Sequence, residues 1–280
     1  MPEKQMQVKF WGARGNLAPA VPSVEFGNHT TCVEIQAGDQ PPLLVDFGSG
    51  ARGAGTAWLA AGIREFDIFQ THFHHDHLLG LYTFPPFYRR DCTLRVHAVR
   101  CGFRRSLGEL FAPPYHPVSL ESVPARVEAV ELPGSGSREF PRLGLNVGWT
   151  AVSHPQGCSA YRFDDGENAI VFATDVELGS RKGHEGLSRL ICEPYPAGLL
   201  IVDGFFTDQE INHFSDWGHS SWTQARELMH STGAGSLIIT HHHPDKTDSD
   251  LRALEAGAGG ILWARENLSY RLRHNRRWNP

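Results

Sequence analysis

Residues 71–77, Thr71-His72-Phe73-His74-His75-Asp76-His77, set four imidazoles and one carboxylate into seven positions. Neutral imidazole and ionised carboxylate are the usual ligands of Zn²⁺, Mn²⁺ and Fe²⁺, so the chemistry within reach is metal-assisted hydrolysis. His72 and His74 alternate with Phe73, and on extended backbone both rings point the same way. Asp76 and His77 follow two residues later and can reach a neighbouring position. One ion could take His72 and His74 and a second Asp76 and His77. Each then needs ligands from elsewhere in the chain.

The elements that must position them are short apolar runs, each ending in a polar residue. Leu43-Leu44-Val45 ends at Asp46, and Phe66 to Gln70 ends at Thr71-His72. Ala169 to Thr174 ends at Asp175, Leu199 to Val202 at Asp203, and Leu237 to Thr240 at His241. Aliphatic and β-branched runs of this length are buried strands, and the loops after them can converge on one rim of a sheet. Asp175, His241 and His154, the last in Ser153-His154-Pro155-Gln156-Gly157, are therefore the candidates for the missing ligands. Taken alone, a His or Asp at a strand end is more often a hydrogen-bonding residue than a ligand. His75, His242 and His243 read as supporting or solvated residues. His97, His116, His184, His230 and His274 have no motif around them and read as structural.

Between the strands, Ser220 or Ser221 can cap a helix with Trp222, Ala225, Leu228 and Met229 on one face and a glycine stop at Gly233. Residues 51–62 form a shorter Ala-rich helix ending at Gly62, and Val8 to about Val45 reads as β-hairpins. The less regular stretch 85–145 is expected to cover the site. The pattern as a whole is an α/β sandwich of two mixed sheets in one domain spanning 1–280.

Composition narrows the classes. The chain has 280 residues, 40% of them apolar and 20% charged, within the ordinary globular range. Its net charge of −5 argues against extended nucleic-acid binding, with Arg271 to Arg277 read as a solvated basic tail. Five scattered cysteines without a CxxC pair suggest reduced thiols. With no signal-peptide core or membrane-length apolar run, a cytoplasmic protein without membrane association is expected.

Thr71-His72-x-His74-x-Asp76-His77 resembles the HxHxDH signature of the metallo-β-lactamase fold superfamily, and the likeness runs over nearly the whole chain. Asp46, in Val45-Asp46-Phe47-Gly48-Ser49-Gly50, is similar to its first motif. His154 resembles its third-motif ligand, Asp175 its bridging carboxylate and His241 its last ligand. Phe10-Trp11-Gly12-Ala13-Arg14-Gly15, Gly27-Asn28-His29-Thr30-Thr31-Cys32 and Trp217-Gly218-His219-Ser220-Ser221 narrow the resemblance to the branch containing RNase Z and bacterial cyclic-nucleotide phosphodiesterases. His29, Gln156 and the stretch Asn16 to Pro19 depart from the branch pattern, and all three are expected on the substrate side.

The resemblance implies two divalent ions, zinc first and manganese or iron as alternatives. One would be held by His72, His74, His154 and Asp175, the other by Asp76, His77, Asp175 and His241. Asp46 would orient a ligand histidine, and His219, partnered by Asp203, would act at the scissile phosphate. Arg89 and Arg90, with His29, are the candidate substrate-binding residues. The reaction implied is hydrolysis of a cyclic nucleotide or other small phosphodiester, with Asp76, His219 and Asp203 as catalytic residues. The alternatives are a tRNA 3′-processing endonuclease, an ester or lactone hydrolase on the same ions, and a non-catalytic metal-binding sensor. A homodimer is compatible with the sequence.

Overall fold

The computed structural model describes residues 5–100, 102–179, 184–214, 216–272 and 278–279. Cys101 and the basic tail residues 273–277 lie outside them.

The first sheet is built mostly from the N-terminal part of the chain. Strands β1 (Met6–Gly12), β2 (Cys32–Ala37) and β3 (Leu43–Val45) lie side by side and antiparallel. Helix α1 (Ala51–Ala60) then crosses to β4 (Glu65–Gln70), and β5 (Thr93–Ala98), α2 (Phe103–Leu110) and β6 (Arg126–Glu131) continue the parallel side. The second sheet begins with the antiparallel strands β7 (Gly136–Phe140), β8 (Leu145–Val152), β9 (Cys158–Asp164) and β10 (Ala169–Ala173). It turns parallel through α3 (His184–Cys192), β11 (Leu199–Asp203), α4 (Asp208–Ile211), α5 (Trp222–Thr232), β12 (Leu237–Thr240), α6 (Asp248–Gly257) and β13 (Leu262–Trp263). The chain then returns to the first sheet as β14 (Ser269–Leu272) beside β1, followed by β15 (Trp278–Asn279). Among the described residues the sheets have eight and seven strands, in the orders β15-β14-β1-β2-β3-β4-β5-β6 and β13-β12-β11-β10-β9-β8-β7.

The expected α/β sandwich of mixed sheets is what forms, and the burial pattern explains the apolar runs. Ile170 and Phe172 of β10 face the other sheet, in the core cluster that joins Tyr161 and Ile201 of their own sheet to Val45 and Phe69 of the first. Val171 and Ala173 face outward to Leu187, Ile191, Ala225 and Leu228 of the covering helices. On the other side, Phe66 and Ile68 of β4 pack beneath Ala54 and Trp58 of α1. Because both faces are covered, these strands show no polar alternation.

Local signals behave as their chemistry requires. Ser221, rather than Ser220, caps α5, in a reciprocal pair with Gln224, and Gly233 ends it at φ 69°. Two expectations need correction. β1 and β2 are paired but joined by the long excursion 13–31 rather than a tight turn, and this excursion runs beneath the site. The stretch 85–145 borders the site through Ala98, Val99, Arg100 and Gly134 rather than as an irregular cover. It supplies β5, α2, β6 and β7, which extend the edges of both sheets. Among the described residues no helix is long and apolar enough to cross a membrane.

Candidate metal centre

Both sheets contribute to one rim. His72, His74, Asp76 and His77 follow β4, while His154 follows β8, Asp175 follows β10 and His241 follows β12. Three strand-end residues take left-handed backbone: Asp46 at φ 64°, Asp175 at 55° and His241 at 58°. Such angles are uncommon outside glycine and favour Asp, Asn and His. They turn the chain sharply where the strand stops and cluster, as strained residues do, at a functional rim.

Four donor atoms form a compact set. His77 Nε2 lies 3.2 Å from Asp76 Oδ2, 3.1 Å from Asp175 Oδ2 and 3.3 Å from His241 Nε2. His241 Nε2 is 3.1 Å from Asp76 Oδ2 and 3.3 Å from Asp175 Oδ2. These five separations of 3.1–3.3 Å are those of ligands that share one ion at the Zn–N and Zn–O bond length of about 2.0 Å. His77 Nδ1 lies 2.7 Å from Asp46 Oδ2, so a proton there directs the Nε2 lone pair at the carboxylates. Although burial opposes it, Asp76, Asp175 and Asp46 push the His77 imidazole well above its ordinary range. The position calls for a cation.

A looser set sits beside it. His74 Nδ1 is 3.1 Å from His154 Nε2, and Asp175 Oδ1 is 3.8 Å from His154 Nε2 and 3.9 Å from His72 Nε2. Asp175 thus turns one oxygen to each set. His154 Nδ1 donates to Gly218 O at 2.8 Å and His74 Nε2 to Gln156 Oε1 at 3.1 Å, which leaves His154 Nε2 and His74 Nδ1 as lone pairs. His72 Nε2 is buried with no hydrogen-bond partner. Burial pushes His72 well below, and His154 below, the usual histidine range, so both stay neutral. Against burial, the histidines, chiefly His77 for Asp76 and His241 for Asp175, hold these two carboxyls well below the usual carboxylate range. Asp76 and Asp175 are buried, and their ion-pair partners are histidines. Buried carboxylates without a Lys or Arg partner are expected to coordinate metal. The donor set fits two divalent ions.

Asp46 supports both sets. It accepts from His77 directly and from the Thr71 amide at 2.8 Å and the Thr71 hydroxyl at 2.8 Å. The same hydroxyl oxygen lies 3.0 Å from His72 Nδ1. One carboxylate thereby fixes the ring orientation of a histidine in each set.

His219 lies on the far side of Asp175, its Nδ1 3.9 Å from Asp175 Oδ1. That nitrogen donates to Asp203 Oδ2 at 3.0 Å, while Asp203 Oδ1 accepts from the Ser220 amide at 2.9 Å. The ring stacks on Phe205 at 4.4 Å. Burial lowers the His219 imidazole, but the Asp203 hydrogen bond and charge outweigh it, and the net shift is upward.

The excursion between β1 and β2 closes the floor. Asn16 N donates to Asp76 Oδ2 at 2.9 Å, and Thr30 Oγ1 to Asp76 O at 2.6 Å. Buried Arg14 holds the Gly27 and Lys246 carbonyls. Gly15 must be glycine because a Cβ there would sit 2.3 Å from His241 Nδ1.

The structure brings together His72, His74, Asp76, His77, His154, Asp175, His241, Asp46, His219 and Asp203. It does not bring Arg89 or Arg90. Arg89 pairs with Asp91, which also binds Arg64, in the loop before β5. β5 runs parallel to β4, so this loop lies at the rim opposite the one that carries the histidines, about 17 Å away along the strand. His29 is on the metal rim, with Nδ1 2.8 Å from Glu266 Oε1. His75 is exposed. Buried His242 donates to Ala264 O, and His243 packs on Phe205. Sequence reasoning missed Thr71 as a relay and the Asn16 amide. It also missed the aromatic wall of Phe205, Phe206, Phe214 and exposed Trp217, whose signal was the aromatic spacing beside His219.

Comparison with known proteins agrees with this architecture. No curated protein matches the sequence. Bacillus subtilis YhfI, a metallo-beta-lactamase fold protein, superposes with a TM-score of 0.70 at 18% identity, over 96% of this chain and 100% of that one. Unliganded yeast PDE1 gives 0.69 at 15% identity, over 95% and 99%. Human tRNase Z, short form, gives 0.66 at 17% identity, over 94% and 98%. At these identities the likeness establishes the metallo-β-lactamase fold. The family model described as "Beta-lactamase superfamily domain" matches residues 43–242, half the strands of the first sheet, all but the last of the second and every histidine of the two donor sets, and the chain belongs to that family of metal-dependent hydrolases.

Proposed function

We propose that the protein is a dinuclear metal-dependent phosphodiesterase acting on a cyclic nucleotide or another small phosphodiester. The observation that carries the reading is the His219–Asp203 pair set against Asp175. A histidine whose Nδ1 is committed to a buried carboxylate keeps Nε2 for proton exchange with a substrate. An ester or lactone hydrolase on the same ligands has no need of it.

In this reading His72, His74, His154 and Asp175 would hold one ion, and Asp76, His77, His241 and Asp175 the other. Bound divalent ions supply an activated water and Lewis-acid contacts to phosphate oxygens. Asp46 and Thr71 keep His77 and His72 in the tautomers that present Nε2. His219 carries a proton at Nε2 to the leaving oxygen, and Asp203 stabilises the charge on its ring before the transfer. Phe205 fixes the plane of that ring and keeps water from one of its faces.

The test is His219→Gln in the metal-replete protein, assayed on bis(p-nitrophenyl) phosphate. Both metals should be retained and turnover should fall by about 10²–10⁴-fold, the usual contribution of a positioned acid. Retained turnover would refute the assignment. Activity on lactones or thioesters, with none on phosphodiesters, would favour the ester hydrolase.

A further inference from the structure

A cavity of about 420 Å³ lies against the first donor set, between the ends of β4 and β5 and the turn from β8 to β9. His72 and His74 form one wall, and Phe73, Val99, Gln156 and Arg100 contribute to the others. Its size is that of a small-ligand pocket and exceeds what one phosphate fills. It lies beside His74, and its lining does not include His219, which packs against His154 and His241.

Arg100 is the cation of the lining. Its guanidinium lies over the Phe73 ring, 5.1 Å from the centroid, and Nε donates to Ser106 Oγ at 3.4 Å. Among its neighbours, Arg64 and Arg89 share Asp91 and Arg95 binds Glu65, while Arg90, like exposed Arg100, has no ion pair among the described residues. Among the described residues Arg100 makes no ion pair, although the chain carries more acidic than basic residues. Stacking on Phe73 fixes the plane of the guanidinium and leaves donors of its fork available, a geometry that suits phosphate oxygens. Gln156 adds an amide. Its Oε1 accepts from His74, so the NH₂ group remains to donate.

We propose that Arg100 and this cavity form a subsite for a second anionic group of the substrate, a phosphate carried on the side of the diester away from the leaving oxygen. The proposal rests on the phosphodiesterase reading and narrows it. The two donor sets answer the charge of the scissile phosphate, and Arg100 answers one that a simple diester or a plain cyclic nucleotide lacks.

The experiment compares thymidine 5′-(p-nitrophenyl phosphate) with and without a 3′-phosphate, using metal-replete wild type, Arg100→Ala and Arg100→Lys. Wild type should show the lower KM for the 3′-phosphorylated ester. Arg100→Ala should raise that KM about tenfold with kcat kept, and leave the other ester within about twofold, as expected for loss of one charge-assisted contact. Arg100→Lys should restore part of the difference. Equal effects on both esters, or on neither, would overturn the subsite. If neither ester is turned over, the phosphodiesterase reading fails on its own, and calorimetry still decides the subsite. Metal-loaded wild type should prefer thymidine 3′,5′-bisphosphate to thymidine 5′-phosphate, and Arg100→Ala should lose the preference. Equal binding by wild type would overturn it.

Discussion

Asp46→Asn isolates the role of one carboxylate in organising the centre. Asn tolerates left-handed backbone better than most residues, so φ 64° at position 46 is kept, and the side chain is nearly isosteric. What changes is the acceptor count. Asp46 is fully buried and receives three protons, from His77 Nδ1, the Thr71 amide and the Thr71 hydroxyl. An amide has one oxygen. Turned one way it sets its NH₂ against His77, and turned the other way against the Thr71 amide. The first orientation forces His77 to accept at Nδ1 and carry its proton on Nε2, where it can no longer ligate. The second leaves a buried donor unpaired at about 1–3 kcal/mol. Either way the His77 position should lose about 10–100-fold in metal affinity, the usual effect of removing a carboxylate behind a ligand histidine. Competition with a chromophoric chelator measures it, with circular dichroism to confirm the fold. Wild-type affinity at both positions would refute the argument that Asp46 sets the tautomers.

Asp175→Ala removes the carboxylate that faces both donor sets, and elemental analysis should find the protein stripped of metal; full occupancy would exclude a bridging role. Gly15→Ala drives a Cβ into the His241 ring, and overpacking of this kind costs about 1–3 kcal/mol; thermal unfolding should show it together with weakened metal binding. Chelation should lower the unfolding temperature of wild type by about 10 °C, because metal at 1,000 times its Kd contributes about 4 kcal/mol; the Asp175→Ala variant should not respond. Burial, aided by the Arg138 and Arg95 charges, pushes buried His97 down to about 3. The unfolded chain therefore takes up the proton first, and stability falls as pH drops below 6.5. Between pH 7 and 4.5 wild type should lose about 2.5 kcal/mol more than His97→Phe in urea titrations.

The site was legible where chemistry and strand ends coincide. Asp46, Asp175, Asp203 and His241 each terminate a run buried on both faces, and such runs announce themselves as uninterrupted apolar sequence. Imidazoles and carboxylates packed as densely as in 71–77 repel one another or compete for protons unless a cation lies between them, so their density alone pointed to metal. Contributions made by the backbone were not legible, since the Asn16 amide leaves no residue-type signature. The Arg89–Arg90 assignment failed for a topological reason. Their attraction was charge, but a loop that enters a parallel strand lies on the rim opposite the loops that leave its neighbours. Arg100, two residues past the end of β5, is on the correct rim. The stretch 85–145 looked irregular because short edge strands, with exposed faces and helical turns between them, lack the continuous apolar pattern of the central ones.

The division of the ligands between the sheets bears on how the protein acquires its metal during synthesis. His72, His74, Asp76 and His77 leave the ribosome long before His241, which lies 164 residues after His77. At about 5–20 residues per second that interval is roughly 8–33 s. Through it the nascent chain displays an open cluster of imidazoles that can capture any ion present but cannot enclose it. Only when the last strands of the second sheet dock do Asp175 and His241 impose a coordination geometry. The complete donor sets therefore exist only once residue 241 has been made and the two sheets have met.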